Sequence, residues 1–186
     1  MNSVLATMTM VLIVAIFLTG CLTVEKKSYK ITMTGEQSGK CTITYYNIVS
    51  TKDDGKDISF KDYAELVTDY LEGTKLEDEL VGCRNVTKRL YTQGDKLCGE
   101  ISFDFDSLST VRMYRYNAAA PLMMYVSGLS NETYATSNGT WGGERMPVVF
   151  WAANAKELTL QNTVTEIDTG HVGLAPQYEQ WKHMKR

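Results

Sequence analysis

The sequence predicts one α+β domain, built mainly on an antiparallel sheet of about seven strands and preceded by an apolar leader. Segments that alternate apolar and polar residues dominate the chain, short turn signals separate them, and one capped amphipathic helix interrupts them. The 186 residues, 44% hydrophobic and 22% charged, suit a single packed domain. We therefore divide the chain into a leader at 1–20, a cysteine and tether at 21–28, and a domain at 29–186.

The first two strands are predicted in YKITMTGEQSGKCTITYYNIV, residues 29–49. A polar turn containing glycine separates two runs, and the second run is rich in β-branched and aromatic residues, which favour strands. A polar loop, STKDDGKD, follows these strands.

A principal helix is predicted over about 59–72, packed on one face of the sheet. Ser59 is the predicted N-cap, and Gly73 ends the helix. The apolar stripe expected to face the sheet consists of Phe60, Tyr63, Leu66, Val67, Tyr70 and Leu71. A short second helix is predicted between Thr74 as its cap and Gly82 as its stop.

The segment RLYTQGDKLCGEISFDF predicts a β-hairpin that turns at Gly94. In that register, Tyr91 faces Cys98 and Arg89 faces Glu100 across the two strands.

The rest of the chain predicts further strands, one loop and a final helix. The strands are expected in STVRMYRY, at Leu122–Val126, in PVVFW and in ELTLQNTVTEI. Residues 127–146, rich in Ser, Asn, Thr and Gly, predict a loop. A short C-terminal helix is expected to begin near Pro176 and to carry Tyr178, Trp181 and Met184 on one side.

Composition and motifs argue against several classes of function. The net charge of −3, without a basic stripe, argues against a nucleic-acid-binding protein. The sequence contains no C-x-x-C, H-E-x-x-H or G-x-S-x-G pattern, and its only two histidines lie near the C-terminus. We therefore predict no cofactor, no metal site and no catalytic residue.

The leader ends in a cysteine directly after an apolar run. No residue from Met1 to Val24 is charged, and the run MVLIVAIFL leads into the sequence LTGC at Leu18–Cys21. This sequence resembles the lipobox of bacterial lipoproteins, in which an aliphatic residue, a small residue and Gly or Ala precede the cysteine.

The resemblance implies cleavage between Gly20 and Cys21, coupling of diacylglycerol to the thiol of Cys21, and acylation of the new N-terminus. Several acyl chains anchor a protein stably to a bilayer, whereas one chain binds marginally. The resemblance also implies that the domain is exported to the cell envelope. Leu22 follows the cysteine in place of Asp, which in lipoproteins of enteric type favours the outer membrane.

Two alternatives remain for the leader. It carries no Lys or Arg before its apolar run, whereas Lys26 and Lys27 follow it, and the positive-inside rule favours those two residues in the cytoplasm. An uncleaved helix is the first alternative, because twenty-four residues at about 1.5 Å each would span a hydrocarbon core of about 30 Å. An ordinary cleaved signal peptide is the second.

Beyond Cys21 the chain has three cysteines, an odd number. The predicted hairpin separates Cys83 from Cys98 by about eight residues of strand, well beyond the ~7 Å that a disulfide bridges between Cα atoms. A disulfide would therefore have to include Cys41, paired with either Cys83 or Cys98.

Two groups of residues are candidates for a functional site. The strand GEISFDFDS places Glu100, Asp104 and Asp106 on one face, either as a solvated strand face or as carboxylates for acid–base chemistry. The loop SNGTWGGER offers Trp141, Glu144 and Arg145, an aromatic and two charges suited to contact a sugar or a peptide.

The leading hypothesis is a membrane-anchored envelope lipoprotein whose domain binds a ligand or protein partner rather than catalysing a reaction. Its expected partner is the lipid bilayer, reached through acylated Cys21. One alternative is an envelope hydrolase that uses Glu100, Asp104 and Asp106. Another is a structural component of an envelope assembly, anchored by an uncleaved N-terminal helix.

Overall fold

The computed structural model describes residues 22–126 and 131–185, and these residues form a single α+β domain. In chain order, the strands of this described part are β1 (Leu22–Met33), β2 (Gly39–Thr51), β3 (Cys83–Gln93), β4 (Lys96–Phe105), β5 (Met113–Tyr114), β6 (Leu122–Tyr125), β7 (Thr133–Ser137), β8 (Thr140–Trp141), β9 (Val148–Trp151), β10 (Glu157–Thr163) and β11 (His171–Gly173). Its α-helices are α1 (Ser59–Glu65), α2 (Lys75–Glu79) and α3 (Ala175–Met184).

The described residues contain one seven-stranded antiparallel sheet, which confirms the predicted fold class. Six of its strands follow the order β3-β4-β2-β1-β10-β7, and β11 pairs with the end of β2. The long strand β1 is central, because it pairs with β2 on one side and with β10 on the other. In this order, β3, β4 and β2 lie on one side of β1, and β10 and β7 lie on the other.

A second sheet, of four strands in the order β5-β6-β9-β8, was not predicted. The predicted strand STVRMYRY contributes only β5, because Leu108–Val111 forms a 3₁₀ turn before it and Arg112 adopts a left-handed conformation. The predicted loop at 127–146 contains β7 and β8. Tyr134 on β7 and Trp141 on β8 stack in parallel with ring centroids 4.2 Å apart, and this contact joins the two sheets.

The predicted tether at 21–28 is wrong from residue 22 onward. Leu22 pairs with Ser50, and Val24 pairs with Ile48, so β1 is in the sheet from its first residue. The side chains of Leu22 and Val24 are buried. Residues 22–28 therefore belong to the folded domain.

The predicted hairpin is confirmed in both turn and register. Strands β3 and β4 are joined at Gly94, whose φ of +63° lies in the left-handed region that favours glycine. Arg89 lies opposite Glu100, and Tyr91 lies opposite Cys98.

The principal helix is confirmed, with two differences of detail. Helix α1 continues into a π-helical turn at Leu66–Leu71, where the amide of Glu72 bonds to the carbonyl of Val67. Ile58 is the N-cap residue, and the side chain of Asp57 accepts a hydrogen bond of 2.9 Å from the amide of Ser59, the first residue of the helix. Ser59 is therefore not the cap, and its hydroxyl instead accepts a hydrogen bond from Gln177 of α3.

Helix α3 begins with Pro176 in its first turn, as predicted. Tyr178 is buried and donates a hydrogen bond to the carbonyl of Leu90 on β3 at 2.9 Å. Met184 is 79% exposed, so the predicted apolar side of this helix stops at Trp181.

The buried apolar side chains of both sheets, of the principal helix and of α3 form one continuous cluster. The residues of the principal helix that face this core are Tyr63, Leu66, Val67 and Tyr70, whereas Phe60 at its start is exposed. Within residues 22–126 and 131–185, none of the helices has the length and hydropathy of a membrane-spanning segment.

Candidate functional site

A cleft of about 320 Å³ lies where β1 ends, between the turn to β2, the segment before β6 and the loop before β10. We call it the Arg115 cleft. Its lining residues are Met33, Gly35, Glu36, Arg115, Ala118, Leu122, Ala153, Ala155 and Lys156. The volume falls in the lower part of the range of small-molecule sites.

Backbone hydrogen bonds shape each wall of the Arg115 cleft. In the β1–β2 turn, the amides of Thr34 and Gly35 both bond to the carbonyl of Ser38. A Cβ atom at Gly35 would lie 2.5 Å from the hydroxyl of Ser38, so a larger residue there would require the Ser38 side chain to move. On the opposite wall, the side chain of Asn117 accepts hydrogen bonds from two backbone amides that follow it.

Arg115 is the central polar residue of the cleft. Its side chain is only 9% exposed. It donates a hydrogen bond of 2.5 Å from Nη2 to the carbonyl of Glu36, and the same nitrogen lies 3.6 Å from a carboxylate oxygen of Glu36. A guanidinium has five N–H donors, and this is the one hydrogen bond that Arg115 donates within the described part of the chain.

The remainder of the lining is small and apolar, with one further cation at the rim. Lys156 is exposed, and its carbonyl accepts a hydrogen bond from the amide of Met33. Met33 and Leu122 are buried and form apolar lining of the cleft. Chemically, this arrangement offers charge recognition and hydrogen-bond donation beside an apolar surface.

The predicted lipidation site, Cys21, and the predicted cleavage flank, Gly20, lie outside the described residues. The nearest described residue is Leu22, at the start of β1. The Arg115 cleft lies at the opposite end of that strand.

Each of the three candidate carboxylates is bound by a side chain of the neighbouring strand β3. The pairs are Arg89–Glu100, Asn85–Asp104 and Arg84–Asp106, at 2.8, 2.7 and 2.6 Å. Arg89 holds Glu100 with two parallel hydrogen bonds. These cross-strand pairs favour the interpretation of a solvated strand face, because each carboxylate is turned toward its own partner.

The candidate contact residues near the β8–β9 turn differ in their exposure to solvent. Trp141 is half-buried and stacks on Tyr134, and it lies opposite the buried Val149 of β9. Glu144 and Arg145 are exposed in the turn itself. The aromatic ring therefore contributes to packing on Tyr134, whereas the two charged side chains are exposed to solvent.

The cysteines of the described residues, Cys41, Cys83 and Cys98, are all free thiols. Cys41 lies on β2 opposite Phe103, and Cys83 lies on β3 opposite Phe105, with β4 between them. Two strand spacings of about 4.8 Å separate their Cα atoms by roughly 10 Å, beyond the ~7 Å limit for a disulfide. Cys98 lies on the other face of β4 from Phe103, so it cannot reach Cys41 either. The disulfide considered for Cys41 is therefore not formed in this structure.

Burial makes these thiols poor nucleophiles. It raises the pKa of Cys41 to about 12 and the pKa of Cys83 to about 11, and it also raises the pKa of Cys98. The thiolate is the reactive form, so it stays scarce until the pH approaches these values.

We expect iodoacetamide at about pH 8, near the pKa of a free thiol, to alkylate all three cysteines rapidly in urea and none of them rapidly in the folded protein. Mass spectrometry of tryptic peptides measures alkylation at each site. Rapid alkylation of Cys41 in the folded protein would contradict the expected burial.

A buried polar network crosses the middle of the main sheet, and sequence analysis did not identify it. Glu132, whose side chain is 3% exposed, accepts hydrogen bonds of 2.9 Å from Lys27, Tyr29 and Asn162. Burial and the nearby carboxylate of Glu132 raise the pKa of Tyr29, so this phenol stays a neutral donor. The network neutralises the charge of Lys27 inside the domain.

The described residues contain no group of three His, Cys, Asp or Glu side chains that could hold a metal ion. Comparison with known protein families, with curated proteins and with solved structures finds no match for this chain.

Sequence analysis did not identify the Arg115 cleft as a site. Its walls come from three segments that are about 80 and 40 residues apart along the chain. The one available signal was an arginine among apolar and small residues in RMYRYNAAAPL, a pattern common in ordinary strands.

Proposed function

We propose that this chain is a cell-envelope lipoprotein, anchored to a membrane through acylated Cys21, whose α+β domain binds a ligand and does not catalyse a reaction. The observation that carries the proposal is the sequence Leu18–Cys21 at the end of an uncharged apolar leader. In the family that it resembles, this cysteine carries the lipid.

The position of β1 supports the proposed cleavage. Leu22 is the first described residue and is already paired with β2. Cleavage before Cys21 therefore leaves every described strand and helix intact.

The same geometry makes the proposed anchor short. No flexible tether separates Cys21 from the central strand of the sheet, so the lipid holds the domain close to the membrane surface. Eleven residue steps of β1, at about 3.3 Å each, place the Arg115 cleft roughly 35 Å from the anchored end. The cleft would then lie at the end of β1 that is far from the anchored residue, where a ligand in the aqueous phase reaches it.

The presence of Leu22 after the cysteine favours the outer membrane as the location, by the same resemblance to lipoproteins of enteric type. The binding role is supported by the Arg115 cleft, whose lining combines recognition groups with apolar surface.

Acylation of Cys21 can be tested in a bacterial expression host with an alkyne-labelled palmitate. We expect the wild-type protein to incorporate the label, and its intact mass to show loss of residues 1–20 and gain of acyl mass. Cys21→Ser should incorporate no label, because the modification in this family takes place on a cysteine thiol, which serine lacks. Cys83→Ser is the matched control and should be labelled as strongly as the wild type. An unprocessed, unlabelled wild-type mass would instead support the uncleaved helix.

A further inference from the structure

We propose that the Arg115 cleft is a binding site for a small organic carboxylate that carries a short apolar group. The inference deepens the proposed binding role of the domain and rests on that role. It does not depend on the lipid anchor.

The first argument is the hydrogen-bonding state of Arg115. Within residues 22–126 and 131–185, the guanidinium donates one hydrogen bond, to the carbonyl of Glu36. Arg115 lines the cleft, and among the described residues no side-chain nitrogen of Arg115 is both fully buried and without a hydrogen-bond partner. Removing a cation from most of its water is costly unless its donors are satisfied. A ligand carboxylate satisfies two of them at once in parallel geometry.

The second argument is the charge of the cleft. Arg115 and Lys156 contribute two positive charges, and Glu36 contributes one negative charge, so the lining carries a net positive charge of one. The carboxylate of Glu36 lies 3.6 Å from Nη2 of Arg115 and is 78% exposed, so it forms a weak, solvated pair. A monoanion entering the cleft neutralises the lining and competes with Glu36 for the guanidinium.

The third argument is the apolar part of the lining. Ala118 is exposed, Ala153 and Ala155 are half-buried, and these three alanines provide the accessible apolar surface of the cleft, whereas Met33 and Leu122 line it but are buried. A strongly hydrated anion such as free phosphate would leave this surface without a partner. A carboxylate with a short alkyl or aromatic group covers it and releases water from it. The volume of about 320 Å³ lies in the lower part of the range of small-molecule sites, which suits a small ligand.

The proposal can be tested by isothermal titration calorimetry on the full-length protein in detergent. The probes are hexanoate and benzoate, with hexanamide and benzamide as uncharged counterparts of the same shape. We expect at least one carboxylate to bind with a Kd below about 1 mM, and its amide to bind at least about tenfold more weakly.

Three variants connect this binding to the cleft. Arg115→Gln should weaken carboxylate binding at least about tenfold, because it removes the cation and the paired donors. Glu36→Gln should strengthen it about threefold, because it removes the competing carboxylate. Lys61→Gln, at an exposed position of α1 and outside the cleft, is the control for loss of a positive charge and should bind like the wild type.

Circular dichroism shows whether each variant folds. If Arg115→Gln does not fold, Glu36→Gln still tests whether Arg115 binds the carboxylate. A purely structural role of Arg115 gives no reason for Glu36→Gln to bind the carboxylate more tightly. The proposal is overturned when neither carboxylate binds the wild type below about 1 mM, when the amides bind equally well, or when Glu36→Gln leaves the affinity unchanged. None of these results alters the acylation of Cys21, so the two proposals fail separately.

Discussion

Replacing Glu132 with alanine is expected to lower the free energy of unfolding by about 3–5 kcal/mol, because it leaves the buried charge of Lys27 without a partner. Tyr29 and Asn162 lose an acceptor in the same substitution. Urea denaturation followed by tryptophan fluorescence measures the change. A loss of this size is a large fraction of the 5–15 kcal/mol typical of a domain.

The matched control for Glu132→Ala is Glu157→Ala. Glu157 forms an ion pair of 3.0 Å with Lys30, but both side chains are more than half exposed. Exposed pairs contribute about 0–1 kcal/mol, so this substitution should change stability little. Equal losses for the two variants would show that burial of the Glu132 network contributes nothing. The double variant Lys27→Met/Glu132→Met should recover much of the loss, since it removes both buried charges together.

Replacing Val24 with aspartate is expected to cost about 4 kcal/mol or more, the range reached when an unpaired charge is buried in a core. Val24 is 2% exposed and lies opposite Ile48 in the sheet. The substitution distinguishes a buried strand at residue 24 from a tether, because aspartate in a solvated tether would not lower the free energy of unfolding. Thermal and urea unfolding of the full-length protein measure the effect.

Thr32→Asp is the control on the same strand. Thr32 is exposed and lies between Lys40 and Glu157 on the neighbouring strands, so attraction and repulsion nearly cancel. Its effect should stay within about 0.5 kcal/mol, as for ordinary surface substitutions. If Val24→Asp proved as stable as Thr32→Asp, the prediction of a tether at 21–28 would be correct. The lipid would then not hold the domain close to the membrane surface.

These two predictions also separate what local sequence signals determine from what long-range contacts determine. The hairpin at Gly94, the principal helix before Gly73 and the start of α3 at Pro176 were all predicted, because their signals lie within one turn or one helix. In each case, neighbouring residues restrict the backbone directly.

The prediction of a tether at 21–28 failed because a residue far along the chain stabilises this segment as a strand. The polar sequence EKKS was interpreted as part of a tether because it interrupts the apolar alternation of β1. In the folded domain, Lys27 of this sequence is neutralised by Glu132, 105 residues away, so the strand continues through it. The second sheet was missed for a related reason, since its two-residue strands β5 and β8 are too short to show a period.

The sequence alone determined the fold class, the hairpin register and the resemblance at Cys21 on which the proposed anchor rests. Only the tertiary structure decided that β1 begins at Leu22 and that Arg115 borders a cleft at the far end of the same strand. The physical reason is that turns and helices depend on interactions between near neighbours, whereas burial and charge compensation depend on which distant segments meet. A lysine or an arginine placed in a strand has no defined environment until its partner, far along the chain, has packed against it.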